Sequence, residues 1–257
     1  MFTVERPDVE RVLRDYGIPE ALRDFSELQR YHYERYDPAS REVRLILRLT
    51  LEGRAPLVLR FKCEEDVTQA LLESQCRFAQ TLRENGVPTP RQYRTEGCFT
   101  RWYTVGGYEV LAALEDFAEG QLTVVDAAAA EQTGALLAKT HRIAETLDLH
   151  VANRVLFDPF AENDLFDVEG FRSVGASLSG EDRALFDRIL EKYDAVMDRL
   201  APLRQAPRCA VQGDISDCNL YRTPAGEIGL FDFNRCGDNV LLCDAVMQAL
   251  FEARLMD

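Results

Sequence analysis

The sequence has no apolar run approaching the length that crosses a bilayer, and Met1 to Glu10 holds charges where a secretion signal would hold its apolar core. No membrane span is expected, and the composition points to a cytoplasmic protein. The seven cysteines (63, 76, 98, 209, 218, 236 and 243) are odd in number and include no Cys-x-x-Cys pair, which indicates neither a disulfide framework nor a zinc site. With no His beside them in sequence, Cys218 and Cys236 read as small space-filling residues rather than activated nucleophiles. Positive charge is also scarce: 30 Lys and Arg against 44 Asp and Glu leave a net charge of −14. No basic stripe with interleaved aromatics is present, which argues against a nucleic-acid partner and leans, if anything, toward a cationic substrate.

What the chain does have is 257 residues, 46% of them hydrophobic, enough for a substantial core and for two lobes rather than one small domain. Val9, Val12, Leu13 and Tyr16 recur at helical spacing and predict an amphipathic helix over 6–16. Extended runs over 25–36, 43–51 and 56–62 are separated by the turn clusters Asp37-Pro38-Ala39-Ser40 and Glu52-Gly53-Arg54, which predicts three successive antiparallel strands. A helix over 67–85 ends at Asn85-Gly86, and strands over 98–105 and 108–117 are joined at Gly106-Gly107. Helices are then expected over 126–144 and 181–203, on either side of a linker at Asn163-Asp164. Short strands at 209–213, 220–222 and 228–233 precede a closing helix over 245–256.

The densest chemistry lies in Val211-Gln212-Gly213-Asp214-Ile215-Ser216-Asp217-Cys218-Asn219-Leu220 and in Asp232, thirteen residues after Asn219. A first carboxylate can orient a hydroxyl and accept its proton, while a carboxamide oxygen and a second carboxylate are hard ligands suited to a Mg²⁺ that bridges phosphates. Asp214 is therefore the candidate base, and Asn219 and Asp232 are the candidate metal ligands. Gly, Asp, Ser and Asn are also the residues that turns select, so the octet alone could be a plain turn. Its context favours chemistry: the turn Thr223-Pro224-Ala225-Gly226-Glu227 sends the chain back, so Asp232 can face Asn219 across one pocket.

This segment resembles the catalytic segment of the aminoglycoside phosphotransferase and choline kinase-like family, relatives of the protein kinases. The family pattern runs roughly His-Gly-Asp-x-x-x-x-Asn, a short hairpin, then Ile-Asp-Phe/Trp. Gln212 stands where the family usually has His; Gln still donates and accepts hydrogen bonds but carries no charge. The turn Arg83-Glu84-Asn85-Gly86-Val87-Pro88-Thr89-Pro90 also looks like the family's. The resemblance implies an α+β, two-lobed protein-kinase-like fold, with an N-lobe over 1–114 built of antiparallel sheet plus helix. The C-lobe, over 115–257, would be mostly helical and carry the catalytic hairpin. ATP and Mg²⁺ are the implied cofactors, and the implied reaction moves the γ-phosphoryl group to a hydroxyl of a small molecule such as an aminoglycoside, choline, homoserine or a sugar. The alternative is a catalytically weak or silent nucleotide-binding protein that keeps the fold. Three features suggest it: Gln212, the sequence Asp37 to Ser40 in place of a Gly-x-Gly-x-x-Gly loop, and an end at Asp257 where the family usually continues through further helices.

A triphosphate also needs cations. Arg60 and Lys62 alternate with Leu59 and Phe61, so both point to one face of their strand. The resemblance puts the phosphate-binding position on Arg60, whose planar fork suits phosphate, with Lys62 as a spare or rim charge; the competing reading is a solvated strand edge. Glu73 on the next helix is the implied partner acid, with Gln75 as a competing alignment and a plain exposed face as the alternative. Glu115 to Phe117, where the family passes from one lobe to the other, is expected to hold the adenine through backbone groups. Asp244 is expected to cap the last helix and brace the loop, His141 to pack near a helix end, and Asp217 to face solvent.

Overall fold

The computed structural model describes residues 1–161, 167–215 and 217–255; the Asn163-Asp164 linker, Ser216 and Met256 lie outside the described residues. The chain forms two compact units, each built from two stretches of sequence. The first comprises Met1–Thr123 with Cys218–Asn234, and the second comprises Val124–Asp217 with the chain from Arg235 onward. The break after Thr123 lies beyond the 114/115 boundary expected from sequence, and the hairpin expected in the C-terminal part is grouped with the sheet. Backbone hydrogen bonds explain that grouping, since the Leu122 amide donates to Leu220 O and the Arg222 amide to Gly120 O. Gly120 has φ +85° and a Cβ there would lie 2.7 Å from the Arg222 carbonyl oxygen, so only glycine permits this approach.

In the first unit, α1 (Arg6–Asp15) opens with a reciprocal capping box between Glu5 and Asp8. The strand β1 (Leu22–Tyr31) ends five residues before the expected limit, because the chain turns into a 3₁₀ turn over Tyr33–Arg35. Then come β2 (Val43–Leu51), β3 (Leu57–Cys63), α2 (Gln69–Glu84), β4 (Thr100–Val105) and β5 (Tyr108–Asp116). The Thr68 hydroxyl caps α2 by accepting from the Leu71 amide. All pairings in the five-stranded sheet are antiparallel, in the order β1-β2-β3-β5-β4.

Alternation divides the faces of this sheet. Leu45, Leu47 and Leu49 from β2, Leu57, Leu59 and Phe61 from β3, and Ala112 and Leu114 from β5 bury themselves against Val9, Val12 and Leu13 of α1. The opposite face of β3 and β5 carries Arg60, Lys62, Leu111, Ala113 and Glu115, which line a cavity together with Leu72, Gln75, Cys76 and Ala79 of α2.

The second unit begins with α3 (Ala127–Thr146), capped by Asp126, followed by α4 (Val168–Val174) and α5 (Gly180–Leu200). Next is β6 (Arg208–Val211); β7 (Leu220–Arg222) and β8 (Ile228–Leu230) form the hairpin of the first unit; β9 (Gly237–Val240) pairs antiparallel with β6 and leads directly into α6 (Leu241–Leu255). The helix α4 and strand β9 are not evident from sequence, since Gly237-Asp238-Asn239 reads as a turn and gains strand form only from its ladder to β6. Among the described residues no helix is long and apolar enough to cross a membrane.

Candidate active site

Arg60 and Lys62 project from the same side of β3, as their alternation predicts, but their partners are not the ones expected. In the β3–β5 ladder Arg60 stands opposite Ala113 and Val58 opposite Glu115, so Arg60 and Glu115 are diagonal neighbours on one face. The small Ala113 side chain leaves the guanidinium room to reach across. Arg60 Nε donates to Glu115 Oε1 at 2.8 Å and Nη2 forms an ion pair with the same oxygen at 2.7 Å, while Gln92 Nε2 donates to the other oxygen of Glu115 at 2.7 Å. The third guanidinium nitrogen, Nη1, is buried with no hydrogen-bond partner and lies 3.9 Å from Asp232 Oδ1. Burial works against the Arg60 charge, but the charges of Glu115 and Asp232 outweigh it and raise its pKa.

Lys62 is buried to 3% exposure, not a rim charge. Its Nζ donates to Asn234 Oδ1, and the Asn234 carbonyl in turn accepts from Gln75 Nε2 at 2.9 Å. Burial, followed by the nearby Arg60 charge, pushes the Lys62 ammonium down to about 8. The thiol of Cys76, in the same cavity, is pushed up to about 12 by burial and then by Glu115 and Glu73, so it is not a ready nucleophile.

Glu73 does not pair with either cation. Its carboxylate accepts from the Phe99 and Thr100 amides at 3.1 and 2.6 Å and from the Thr100 hydroxyl, fixing the start of β4 to α2. It lies on the β4 side of α2, whereas Gln75 lies on the cavity side. The acid for Arg60 is Glu115, and the sequence did carry a signal for it: one carboxylate at the end of the apolar Val110-Leu111-Ala112-Ala113-Leu114 run is costly to bury without a partner. Expected to offer backbone groups to adenine, Asp116 and Phe117 have their amides taken by Arg91 O and Pro56 O, at 3.0 and 3.1 Å. A base edge would therefore find amide donors only beyond Phe117. Asn234 and Gln92 were not anticipated, and no short pattern marks either.

The hairpin brings the two candidate metal ligands together through the backbone. Leu220 pairs with Leu230, and one step outward the Phe231 amide donates to Asn219 O at 3.0 Å, which sets Phe231 opposite Asn219 and Asp232 one residue further along the chain. Asp232 has φ +58°, an uncommon left-handed conformation for a residue with a side chain, and its Oδ1 accepts from the Asn234 amide at 3.2 Å. Phe233 packs edge-on against Phe78 of α2, with ring centroids 5.9 Å apart, and so anchors the residue next to Asp232.

In the second unit the loop carrying Asp214 is held locally. Gln212 is buried, and its side-chain oxygen accepts from the Asp214 amide at 2.8 Å, so it supports the loop backbone without carrying a charge. At Gly213, φ is +80° and a Cβ would fall 2.4 Å from the Arg235 carbonyl oxygen, so the backbone passes too close for any side chain. Asp244 lies inside the first turn of α6 rather than ahead of it, because the helix begins at Leu241, and its carboxylate meets His141 Nε2 of α3 at 2.8 Å. That bond ties α6 to α3, and it uses His141 as a structural partner. Asp217 opens a 3₁₀ turn over Asp217–Asn219.

Among the described residues no group of three or more His, Cys, Asp or Glu side chains forms a metal cage made by protein alone. A magnesium that keeps waters and takes oxygens from phosphate needs only one or two protein ligands, and Asn219 with Asp232 meets that requirement. The unsatisfied N–H of Arg60 beside Asp232 fits the same group, since a phosphate oxygen would complete the guanidinium's hydrogen bonding.

A phosphotransferase enzyme family model matches residues 37–255, a span that contains β2 to α6. The chain belongs to this phosphotransferase family. No curated protein matches it by sequence. Among solved structures, the phosphotransferase is similar in fold to an amicoumacin kinase in complex with AMP-PNP, Ca²⁺ and Ami, at TM-score 0.58 and 15% identity over 93% of this chain and 67% of that one. A microcompartment-associated aminopropanol kinase gives TM-score 0.56 at 13% identity, over 96% of this chain and 74% of the other. A spectinomycin phosphotransferase in complex with ADP and spectinomycin gives 0.52 at 14%, over 94% and 72%. These likenesses confirm the α+β, protein-kinase-like fold of the phosphotransferase.

Proposed function

We propose that this phosphotransferase moves the γ-phosphoryl group of ATP to a hydroxyl of a small molecule. The observation that carries the reading is the buried, unsatisfied Arg60 Nη1 beside Asp232, with the buried Lys62 ammonium on the same strand face. An unsatisfied guanidinium N–H and a buried ammonium in one cavity favour an anion there, and a metal-bound phosphate meets that requirement. The fold relatives that carry AMP-PNP or ADP support an adenine nucleotide as the donor.

Arg60 and Lys62 would bind phosphate oxygens, with Glu115 holding Arg60 in register as a positioning residue. Asn219 and Asp232 would hold Mg²⁺, which when bound supplies charge neutralisation at the phosphates. Asp214 would accept the acceptor's hydroxyl proton as its oxygen bonds to the γ-phosphorus and the bond to the β-phosphate oxygen breaks, releasing ADP. The chain beyond Phe117 would meet the adenine. The acceptor belongs to the amino alcohols, aminoglycosides or sugars, and the net charge of −14 favours a cationic one.

The test is ATP turnover against a panel of aminoglycosides, choline, homoserine and sugars, with Asp214→Ala as control. Turnover with one class that disappears in Asp214→Ala is the expected result. Thermal stabilisation by Mg·ATP without turnover on any acceptor would instead favour a nucleotide-binding protein that keeps the fold.

A further inference from the structure

A second concavity of the first unit, a cleft of about 580 Å³, opens beside the chain that links α2 to β4. Its walls include Arg54, Gln80, Glu84, Arg91, Tyr93 and Arg94, and it shares only Gln92 with the cavity at Arg60 and Lys62. It is therefore a separate compartment, and the reaction proposed above leaves it unused.

Its charges are arranged unusually for so acidic a chain. The carbon of the Arg54 guanidinium lies 5.4 Å from the Tyr93 ring centroid and that of Arg91 lies 4.9 Å from the same ring, while Arg94 stacks 4.3 Å over Phe99. Ring stacking fixes a guanidinium's place without neutralising it. Arg54 is compensated, since Nη1 bonds Glu20 at 3.1 Å and Nη2 donates to the Tyr93 hydroxyl at 2.6 Å. That hydroxyl donates onward to Asp116 at 2.7 Å, which pins the ring. Arg91 and Arg94 are exposed and make no ion pair with any carboxylate among the described residues. The carboxylate on the wall, Glu84, accepts from Gln80 Nε2 at 3.0 Å. Three guanidiniums, each held on an aromatic ring, thus line the cleft against the single carboxylate of Glu84, and with Arg54 met by Glu20 the walls keep an excess of positive charge that attracts an anion in a chain carrying −14 as a whole.

We propose that this cleft is an oxyanion-binding site for a small phosphate-type ligand, separate from the nucleotide cavity. Arg91 and Arg94 grip the anion, and the Arg54–Tyr93 pair forms the floor. The guanidinium fork matches phosphate oxygens bidentately, and the volume accommodates more than a single phosphate, so a diphosphate or phosphate ester fits better than orthophosphate.

Inorganic pyrophosphate titrated into the full chain by calorimetry, without metal and at low salt, tests this. The wild-type chain is expected to show two binding events, one at the cleft and one at Lys62. The Arg91→Gln/Arg94→Gln pair, which alters exposed side chains and leaves the backbone bond from the Asp116 amide to Arg91 O in place, should lose one event or weaken it by about tenfold or more, and Lys62→Gln should retain that event. Superimposed isotherms for the wild-type chain and the Arg91→Gln/Arg94→Gln pair would overturn the proposal, as would loss of all binding in Lys62→Gln. Failure of the kinase reading looks different: Lys62→Gln would change nothing while the paired variant still lost binding.

Discussion

In the first unit, the proposed phosphate face draws on residues far apart in sequence: Arg60 meets Glu115 across 55 positions, and Lys62 meets Asn234 across 172. In the second unit, the Asp214 loop is held by a hydrogen bond that spans two residues, from the Asp214 amide to Gln212, and by a glycine the backbone requires. The first arrangement buries Arg60 against the opposite charge of Glu115 and sets the buried Lys62 ammonium on a neutral carboxamide, so removing a partner leaves a buried charge without support. The second uses neutral groups, so changing one alters geometry without uncovering a charge. Damage to the phosphate face should therefore register as lost stability as well as lost binding, whereas damage to the loop should register mainly in the rate.

The largest effect expected is on turnover. Asp214→Asn should lower kcat by roughly 10²- to 10⁴-fold while leaving the KM for ATP and the unfolding midpoint near wild type, as steady-state kinetics and denaturant titration would measure. If the unfolding midpoint falls instead, the loop is a structural element and the contrast collapses.

Glu115→Ala attacks the other side of the comparison. It strands the buried Arg60 charge, and removing one partner of such a pair costs about 3–5 kcal/mol, which urea denaturation would read. Adding Arg60→Met in the same chain should recover part of that loss, because no charge is then left uncovered. An unchanged midpoint in Glu115→Ala would mean that water reaches Arg60 and the face is not preorganised.

A smaller loss is expected from Gln212→Ala, which leaves the Asp214 amide without its side-chain acceptor at a cost of about 1–2 kcal/mol, expressed in kcat more than in ATP affinity. Gln212→His should keep most of the activity if the hydrogen bond, not a charge, is what the position supplies.

The smallest effect is the pH response of Lys62. With its ammonium depressed to about 8 by burial, ATP affinity should weaken severalfold as pH rises through that value, and Lys62→Met should flatten the profile. Stability should move the other way. Between about 8 and the ordinary lysine range the unfolded chain binds the proton and the folded one does not, so this residue's contribution to stability rises with pH across that window and is least below it. Nucleotide fluorescence titration and thermal unfolding across the alkaline range would separate the two trends.

Much of the fold was legible in the sequence, because period-2 alternation with turn residues between runs is a local signal. It gave β2 its exact limits at Val43–Leu51 and placed Arg60 and Lys62 on one face. It overran at β1, where nothing in Tyr31 to Tyr36 marks the 3₁₀ turn, and missed β9, whose form comes from its partner strand. The partner of Arg60 was misassigned for the same reason. Glu73 is nearer in sequence, but α2 presents it to the amides of β4, and sheet order brings β5 rather than α2 beside β3.

The sequence by itself determined which side chains are on offer, since the roles proposed for Asp214, Asn219 and Asp232 rest on their side-chain types and spacing, and the β7–β8 turn is enough to set Phe231 opposite Asn219 with Asp232 next in the chain. Tertiary structure alone decided which charges compensate which. That choice depends on a diagonal contact between β3 and β5, on the small Ala113 that leaves room for it, and on a burial that makes an unpaired charge costly; none of these is a property of neighbouring residues along the chain.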